Sequence, residues 1–315
     1  MIEVHGLCKS YGDFQALQNA TFTIPKNQGI TALLGPNGAG KTTTMRLMTG
    51  FLEPTSGDIR FDGKSVTDPR ELQDIKRRIG YLPESTPLYP EMLVSEYLEF
   101  IGRVRGLDGA ELETNARDMI EKLELGSHLY SPIGILSKGF RQRVALAATL
   151  IHKPEVIILD EPTSGLDPNQ IAHIRSLIRT LGEGSTLILS THILQEVEDI
   201  CDRVIIVNRG RIVADQATSS LRSAREVRVI ARGAGIREKL GASPVVSQCR
   251  VITDIGAHLS GGVPEGFEVF VCELGAQGQP EQLFAHVAGQ GWEVREFAPM
   301  TRSLEEIFAE LTVGA

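Results

Sequence analysis

The sequence predicts an α/β fold built on a parallel sheet, carrying a helical insertion and followed by a small α+β domain. Three observations lead there. Short apolar strands alternate with helical stretches up to about residue 215. From about 88 to 150 the apolar residues recur at helical spacing, as in Tyr97-Leu98, Ile101 and Val104. Beyond about residue 225 strands and helices follow one another in a different texture. A chain of 315 residues accommodates about two domains at roughly 100–200 residues each.

In chain order, the first domain (1–215) has apolar strands at Thr31–Leu34, Val156–Leu159, Thr186–Leu189 and Val204–Val207, with the helical insertion between the first two. Residues 216–225 (QATSSLRSAR) are polar and small and read as a linker. In the second domain (226–315), Glu226–Ala231, Phe267–Cys272 and Trp292–Phe297 read as strands, with a helix at Pro280–Val287. Ser303-Leu304-Glu305-Glu306 resembles a capping box opening a last amphipathic helix through Leu311. Trp292 reads as a core residue rather than a ligand contact.

Composition narrows the function classes. With 23% charged and 42% hydrophobic residues the chain is an ordinary globular protein, which excludes disordered and fibrous classes. No run approaches the roughly 20 apolar residues of a membrane span. The opening MIEVHGLCKS has neither the basic nor the apolar region of a secretory signal. Cys8, Cys201, Cys249 and Cys272 lie far apart, forming neither metal-ligand pairs nor a dense disulfide framework, which suits a reducing cytosol. There the sequon Asn19-Ala20-Thr21 has no glycosylation machinery to meet. A net charge of −8 gives no support to nucleic-acid binding, and none is expected.

Two stretches carry chemistry. Gly35-Pro36-Asn37-Gly38-Ala39-Gly40-Lys41-Thr42 fits G-x-x-x-x-G-K-[ST], follows an apolar strand and opens a helix at Thr43 to Met48. Glycines let several N–H groups turn inward, and the helix N-terminus adds positive potential. Lys41 supplies a point charge to outer phosphates and Thr42 a hydroxyl to Mg²⁺. The strand Val156–Leu159 ends in Asp160-Glu161, at the ligand-binding edge of an open α/β sheet. Asp160 is expected to hold Mg²⁺ and Glu161 to orient and deprotonate a water. The strand Thr186–Leu189 ends in Ser190-Thr191-His192, where His192 reads either as an ordinary surface histidine or as a group reaching the γ-phosphate.

Leu136-Ser137-Lys138-Gly139-Phe140-Arg141-Gln142-Arg143, one helix before the acidic strand, resembles the signature segment of ATP-binding cassette (ABC) proteins. Ser164-Gly165-Leu166-Asp167 resembles the D-loop, His192 takes the switch-histidine position, and Tyr11 falls where an aromatic residue stacks on adenine. The motifs stand in the family's order and cover residues 1–215. The resemblance implies a P-loop NTPase (ABC cassette) with a RecA-like core, an antiparallel β portion and a helical subdomain. Lys138 and Phe140 replace the commoner Gly and Gln, and Glu84 in Tyr81-Leu82-Pro83-Glu84 replaces the Q-loop glutamine while still able to approach the metal. These departures, with Ser-Thr-His-Ile-Leu-Gln-Glu-Val-Glu, resemble the gliding-motility-type cassettes of the ABC-2 group, largely exporters. That group often carries a C-terminal α+β extension.

The resemblance further implies an ATPase that binds ATP and Mg²⁺ and packs head to tail with a second copy or a related cassette. Thr43, Lys138 and Asp167 are implied nucleotide-binding residues, and Ser137, Gly139 and the N-terminus of the helix after them act in trans on the partner's γ-phosphate. A separate polytopic permease subunit is expected to form the translocation path, placing this chain on the cytoplasmic face of the membrane. Pro87-Leu88-Tyr89-Pro90 reads either as part of the groove receiving that subunit or as a structural turn. The C-terminal domain reads as regulatory or dimerising, or as a stability-adding appendage. The rival, a soluble ABC ATPase of DNA repair or translation, calls for a coiled-coil insertion or a second cassette. A binding-only cassette is disfavoured by Glu161 and His192.

Overall fold

A computed structural model describes residues 1–222, 226–252, 263–275, 278–300 and 304–313. The chain opens with β1 (Ile2–Tyr11), β2 (Phe14–Ile24), β3 (Ile30–Leu34), α1 (Lys41–Met48), β4 (Ser56–Phe61), β5 (Lys64–Ser65), α2 (Pro69–Arg78) and β6 (Ile79–Leu82). The insertion follows as α3 (Val94–Val104), α4 (Gly109–Lys122), two short 3₁₀ turns and α5 (Lys138–Leu150). The core resumes with β7 (Val156–Asp160), α6 (Pro168–Gly182), β8 (Thr186–Thr191), α7 (Leu194–Ile200), β9 (Arg203–Asn208) and β10 (Arg211–Ala217). Then come α8 (Thr218–Arg222), β11 (Glu226–Arg232), α9 (Ile236–Gly241), β12 (Val246–Ile252), β13 (Glu268–Leu274), α10 (Pro280–Ala288), β14 (Glu293–Met300) and α11 (Leu304–Val313).

The expected apolar strands are the centre of one six-stranded sheet, ordered β10-β9-β3-β8-β7-β6. All neighbours from β9 to β6 run parallel, and only β10 is antiparallel. Every residue of β3, β7 and β8 is buried, which is why these strands read as unbroken apolar runs rather than alternating ones. The register pairs Leu34 with Thr191 and Asp160 with Ser190, so the carboxyl ends of β3, β8 and β7 stand level and side by side. The phosphate loop, Ser190-Thr191-His192 and Asp160-Glu161 therefore leave the sheet at one edge.

A second sheet, β2-β1-β4-β5, is antiparallel throughout. Its buried face (Val4, Leu7, Phe22, Ile59) joins Met45 and Met48 of α1 and Ile158 and Ile188 of the parallel sheet in one core. The residues of β1 gave no alternating signal because three register shifts interrupt its pairing with β2 between Val4 and Ser10. In the insertion, Ser137 caps α5, its hydroxyl accepting from the Phe140 amide at 3.3 Å.

The chain divides into two compact units, Met1–Thr218 with the residues from Phe308 onward, and Ser219–Ile307. The boundary between the units falls inside the expected linker 216–225, whose described residues are the end of β10 and the short helix α8. The end of the chain, expected to lie wholly in the second domain, belongs to the first unit, where Asn208 Nδ2 donates to the Thr312 carbonyl at 3.2 Å. Ser303 lies outside the described residues.

The second unit has one antiparallel sheet, β12-β13-β11-β14. Val227, Val229, Phe270 and Cys272 pack there against Leu240 of α9 and Leu283 of α10. β12 and α9 were not anticipated; β12 is an edge strand with little fully buried apolar surface, so its pattern is weak. Trp292 is half-buried against this core, over Gly233. Among the described residues no helix is long and apolar enough to cross a membrane.

Candidate functional site

Why the loop after β3 curls as it does follows from its glycines. Gly40 has φ +109°, and a Cβ there would stand 2.6 Å from the Ala16 carbonyl oxygen. Gly35 leaves only 2.3 Å between such a carbon and the Val207 carbonyl oxygen. The loop closes on itself through the Ala39 amide, which donates to the Pro36 carbonyl at 3.1 Å. Helix α1 starts at Lys41, two residues before the expected start, so the amides of Lys41, Thr42 and Thr43 have no intrahelical acceptor and are available to an anion. Gly40→Ala is expected to weaken ATP binding at least about tenfold. It combines a disfavoured backbone region with a clash, at a cost of about 2 kcal/mol. Equilibrium titration with a fluorescent ATP analogue checks this, and unchanged affinity would contradict it.

Lys41 is buried and folds back over the loop, donating to the carbonyls of Gly35 (2.8 Å) and Pro36 (3.3 Å). Its ammonium also faces Glu161 Oε1 at 3.4 Å. Thr42 donates its hydroxyl to Asp160 Oδ1 at 3.2 Å, and Ser190 donates to the same oxygen at 2.5 Å. Asp160 is fully buried, and that burial, the largest influence, pushes its carboxyl above the ordinary range against the hydrogen bonds from Ser190 and Thr42. Its Oδ2 is buried without a hydrogen-bond partner. A buried carboxylate oxygen with no donor, beside the Thr42 hydroxyl, is oxygen chemistry that suits a hard divalent cation such as Mg²⁺.

Glu161 turns the chain out of β7 in the left-handed region, φ +50°. Its amide is held by the Ser190 carbonyl (3.2 Å) and hydroxyl (3.0 Å). That turn aims the carboxylate toward His192, whose Nδ1 lies 2.7 Å from Glu161 Oε2. His192 thus stands at the cavity, against the Glu161 carboxylate. Glu161 lies between Lys41 and His192.

These groups open onto a cavity of about 390 Å³. Tyr11, Asn37, Gly38, Gly40, Lys41, Thr42, Thr43, Glu84, Glu161 and His192 all line it. Gly35, Pro36 and Ala39 shape the loop behind that wall, and Asp160 sits beneath Thr42. Tyr11 and the unanticipated Phe14 are both exposed, offering aromatic faces to a flat ring.

Ser137, Lys138, Gly139 and Asp167 lie outside that cavity. They cluster with one another instead. A Cβ on Gly165 would meet Lys138 Nζ, one on Gly139 would meet the Gln170 side chain, and Asp167 caps α6 with Gln170. Gln142 Nε2 donates to the Pro162 carbonyl at 2.8 Å, joining α5 to the turn after Glu161. One copy thus carries a phosphate site and a separate signature surface.

Two residues with large parts in the site were missed from the sequence. Ser190 holds both Asp160 and Glu161, although only its place at a strand end was visible. Glu196, on α7, is 1% exposed and accepts from Thr163 Oγ1 (2.5 Å) and Thr191 Oγ1 (2.6 Å), with Arg175 at 3.6 Å. It ties the turn after Glu161 to the residue before His192.

The family model described as ABC transporter matches residues 17–164. The chain is 33% identical over 311 residues to the uncharacterized ABC transporter ATP-binding protein YxlF of Bacillus subtilis (strain 168), covering 99% of each chain and so both units. It is 35% identical over 215 residues to the linearmycin resistance ATP-binding protein LnrL of the same organism, covering 68% of each. Among solved structures it is similar to the dimeric bacterial ABC transporter cassette MJ0796, at 27% identity and TM-score 0.63, over 69% of this chain and 98% of that one. A post-hydrolysis dimer of MJ0796 bound to ADP and Pi matches at 26% identity with the same TM-score and coverage. A phosphate loop, an acidic strand end and a separate signature surface, on a sheet shared with these proteins, leave one family: the chain is an ABC transporter ATP-binding subunit, an ATPase of the ABC cassette fold.

Proposed function

We propose that this subunit drives an ABC-2-type exporter from the cytoplasmic face of the membrane. The observation that supports its ATPase part is the level ending of β3, β8 and β7, which sets Lys41, Glu161 and His192 along one cavity with Asp160 bonded to Thr42. The name of a further relative, the Nod factor export ATP-binding protein I of Ralstonia nicotianae, 35% identical over 215 residues, supports the direction of transport.

ATP lies with its phosphates on the loop Gly35 to Thr43 and its base against Tyr11. Lys41 leaves the Gly35 and Pro36 carbonyls for the outer phosphates, a neutral acceptor exchanged for a charged one. Thr42, Asp160 and Glu84 hold Mg²⁺, which when bound neutralises phosphate charge. Glu161 takes the proton of the attacking water, and His192 fixes the free carboxylate oxygen while facing the γ-phosphate. A second copy, or a related cassette, closes the site with its own Ser137, Lys138 and Gly139 at the N-terminus of α5, and its Asp167 spaces the two surfaces. Hydrolysis removes the phosphate that bridges the two copies, so the dimer loosens.

The transmembrane subunit docks in a groove of about 780 Å³ beside the insertion, lined by Lys76, Pro87, Tyr97, Ile101, Val104 and Arg105 among others. Pro87 serves in both of its readings, since its carbonyl also accepts from the Tyr97 hydroxyl at 3.3 Å. Val104 is 66% exposed, so a charge there leaves folding intact but puts a carboxylate in the apolar part of the groove. Tagged protein recovered from detergent-solubilised membranes is expected to bring a multi-span protein with it. Val104→Glu should reduce that recovery at least about tenfold while basal ATPase activity stays within about twofold. Recovery without any membrane protein, or with ribosomes or nucleic acid, would overturn the exporter reading.

A further inference from the structure

The four cysteines are not four isolated thiols. Cys249 of β12 and Cys272 of β13 are direct partners in the antiparallel ladder, and their sulfurs stand 3.7 Å apart. They are separated by 23 positions in sequence, which hides the pair. Directly opposed residues of such a ladder have Cα atoms roughly 4.5–5.5 Å apart, inside the roughly 4.4–6.8 Å that a disulfide spans. Rotation about the two χ1 bonds therefore closes most of the remaining gap without moving strands.

We propose that Cys249 and Cys272 are a thiol-oxidation site, converted to an intramolecular disulfide by hydroperoxides. The two sulfurs differ in a way that assigns their parts. Cys249 is half-buried, while Cys272 is fully buried in the core of the second unit. The S–H of Cys272 points to Cys249, which holds the Cys249 thiol below its ordinary range, with Arg237 adding to this. The same bond, with burial, pushes Cys272 up. Cys249 is thus the attacking thiolate. Its sulfur attacks one peroxide oxygen, the O–O bond breaks, and hydroxide leaves to take a proton and become water. The resulting sulfenic acid at Cys249 is attacked by the Cys272 sulfur. The S–S bond forms, the S–O bond breaks, and the sulfenic hydroxyl leaves as water with the Cys272 proton. Two thiols are oxidised and one peroxide is reduced. The product pins β12, the edge strand of the sheet, to β13.

The other two cysteines are internal controls. Cys201 is buried, and burial pushes its thiol far up, while the Cys8 sulfur accepts from the Asn19 amide and has no cysteine neighbour among the described residues. Full-length protein is treated with hydrogen peroxide at neutral pH, then assayed for free thiols and for intact mass without reductant. The expected result is a fall from four thiols to two, a mass loss of about 2 Da, a Cys249–Cys272 cross-linked peptide, and full reversal by dithiothreitol. Cys8→Ser and Cys201→Ser should keep the loss of two thiols, and Cys249→Ser should abolish it. Four thiols surviving in folded protein, covalent dimers, or a gain of about 16 or 32 Da at Cys249 with Cys272 still free would overturn the proposal.

Discussion

Glu161→Gln is expected to lower steady-state ATP turnover by about 10²- to 10⁴-fold, the range a positioned general base supplies. The amide has the same shape and can still bond His192, now 2.7 Å from the carboxylate, but it cannot accept a proton from water. The backbone at φ +50° is kept by the Ser190 bonds to the 161 amide, which the substitution leaves in place. ATP affinity is expected to hold or tighten, because a carboxylate facing the phosphates is replaced by a neutral group and Lys41 loses a competing partner at 3.4 Å. Phosphate release at saturating ATP, paired with equilibrium nucleotide binding, separates the two effects. Turnover within about threefold of the parent would remove Glu161 from the role of base.

Such a residue could be named from the sequence because its context is local. A buried parallel strand must be apolar along its whole length, so Val156–Leu159 followed by two carboxylates identifies both the strand and its end. The same logic found the phosphate loop after β3. The tyrosine at 11 and the glutamate at 84 were accessible only through family likeness, since neither spacing nor burial distinguishes them. What sequence reasoning could not reach was anything assembled across strands. β1 hid its period behind bulges, Ser190 works only because β8 lies next to β7, and Cys249 meets Cys272 only through the ladder. The end of the chain looked like part of the second domain because its helix follows that domain directly. Its residues from Phe308 belong to the first unit through partners about a hundred positions away.

Glu196 is the strongest case of function carried by distant pairing, and its removal has the largest expected effect on the fold of the site. Glu196→Ala leaves the hydroxyls of Thr163 and Thr191 without their acceptor in a buried pocket and takes a counter-charge from Arg175. Arg175 keeps Asp199 at 2.9 Å, so it is not stranded entirely. Breaking a buried charged cluster from one side costs about 3 kcal/mol, equivalent to a fall of roughly 6–12 °C in the melting midpoint of a unit this size. Glu196→Gln retains one acceptor oxygen and is expected to lose about 1 kcal/mol. Stability alone would not distinguish a merely structural residue, so the kinetic split matters. Thr191 precedes His192, and its Oγ1 also accepts from the Ile193 amide at 3.0 Å, so loosening Thr191 frees the backbone on both sides of the histidine. Thr163 lies two residues past Glu161. Among the described residues no side-chain hydrogen bond or ion pair joins Thr163, Thr191 or Glu196 to the phosphate loop. At a temperature where both variants are folded, kcat is therefore expected to fall at least about tenfold in Glu196→Ala with KM for ATP within about threefold, and Glu196→Gln should recover most of it. A lower melting midpoint with unchanged kcat would leave Glu196 as a packing element alone, with no part in holding His192 against Glu161.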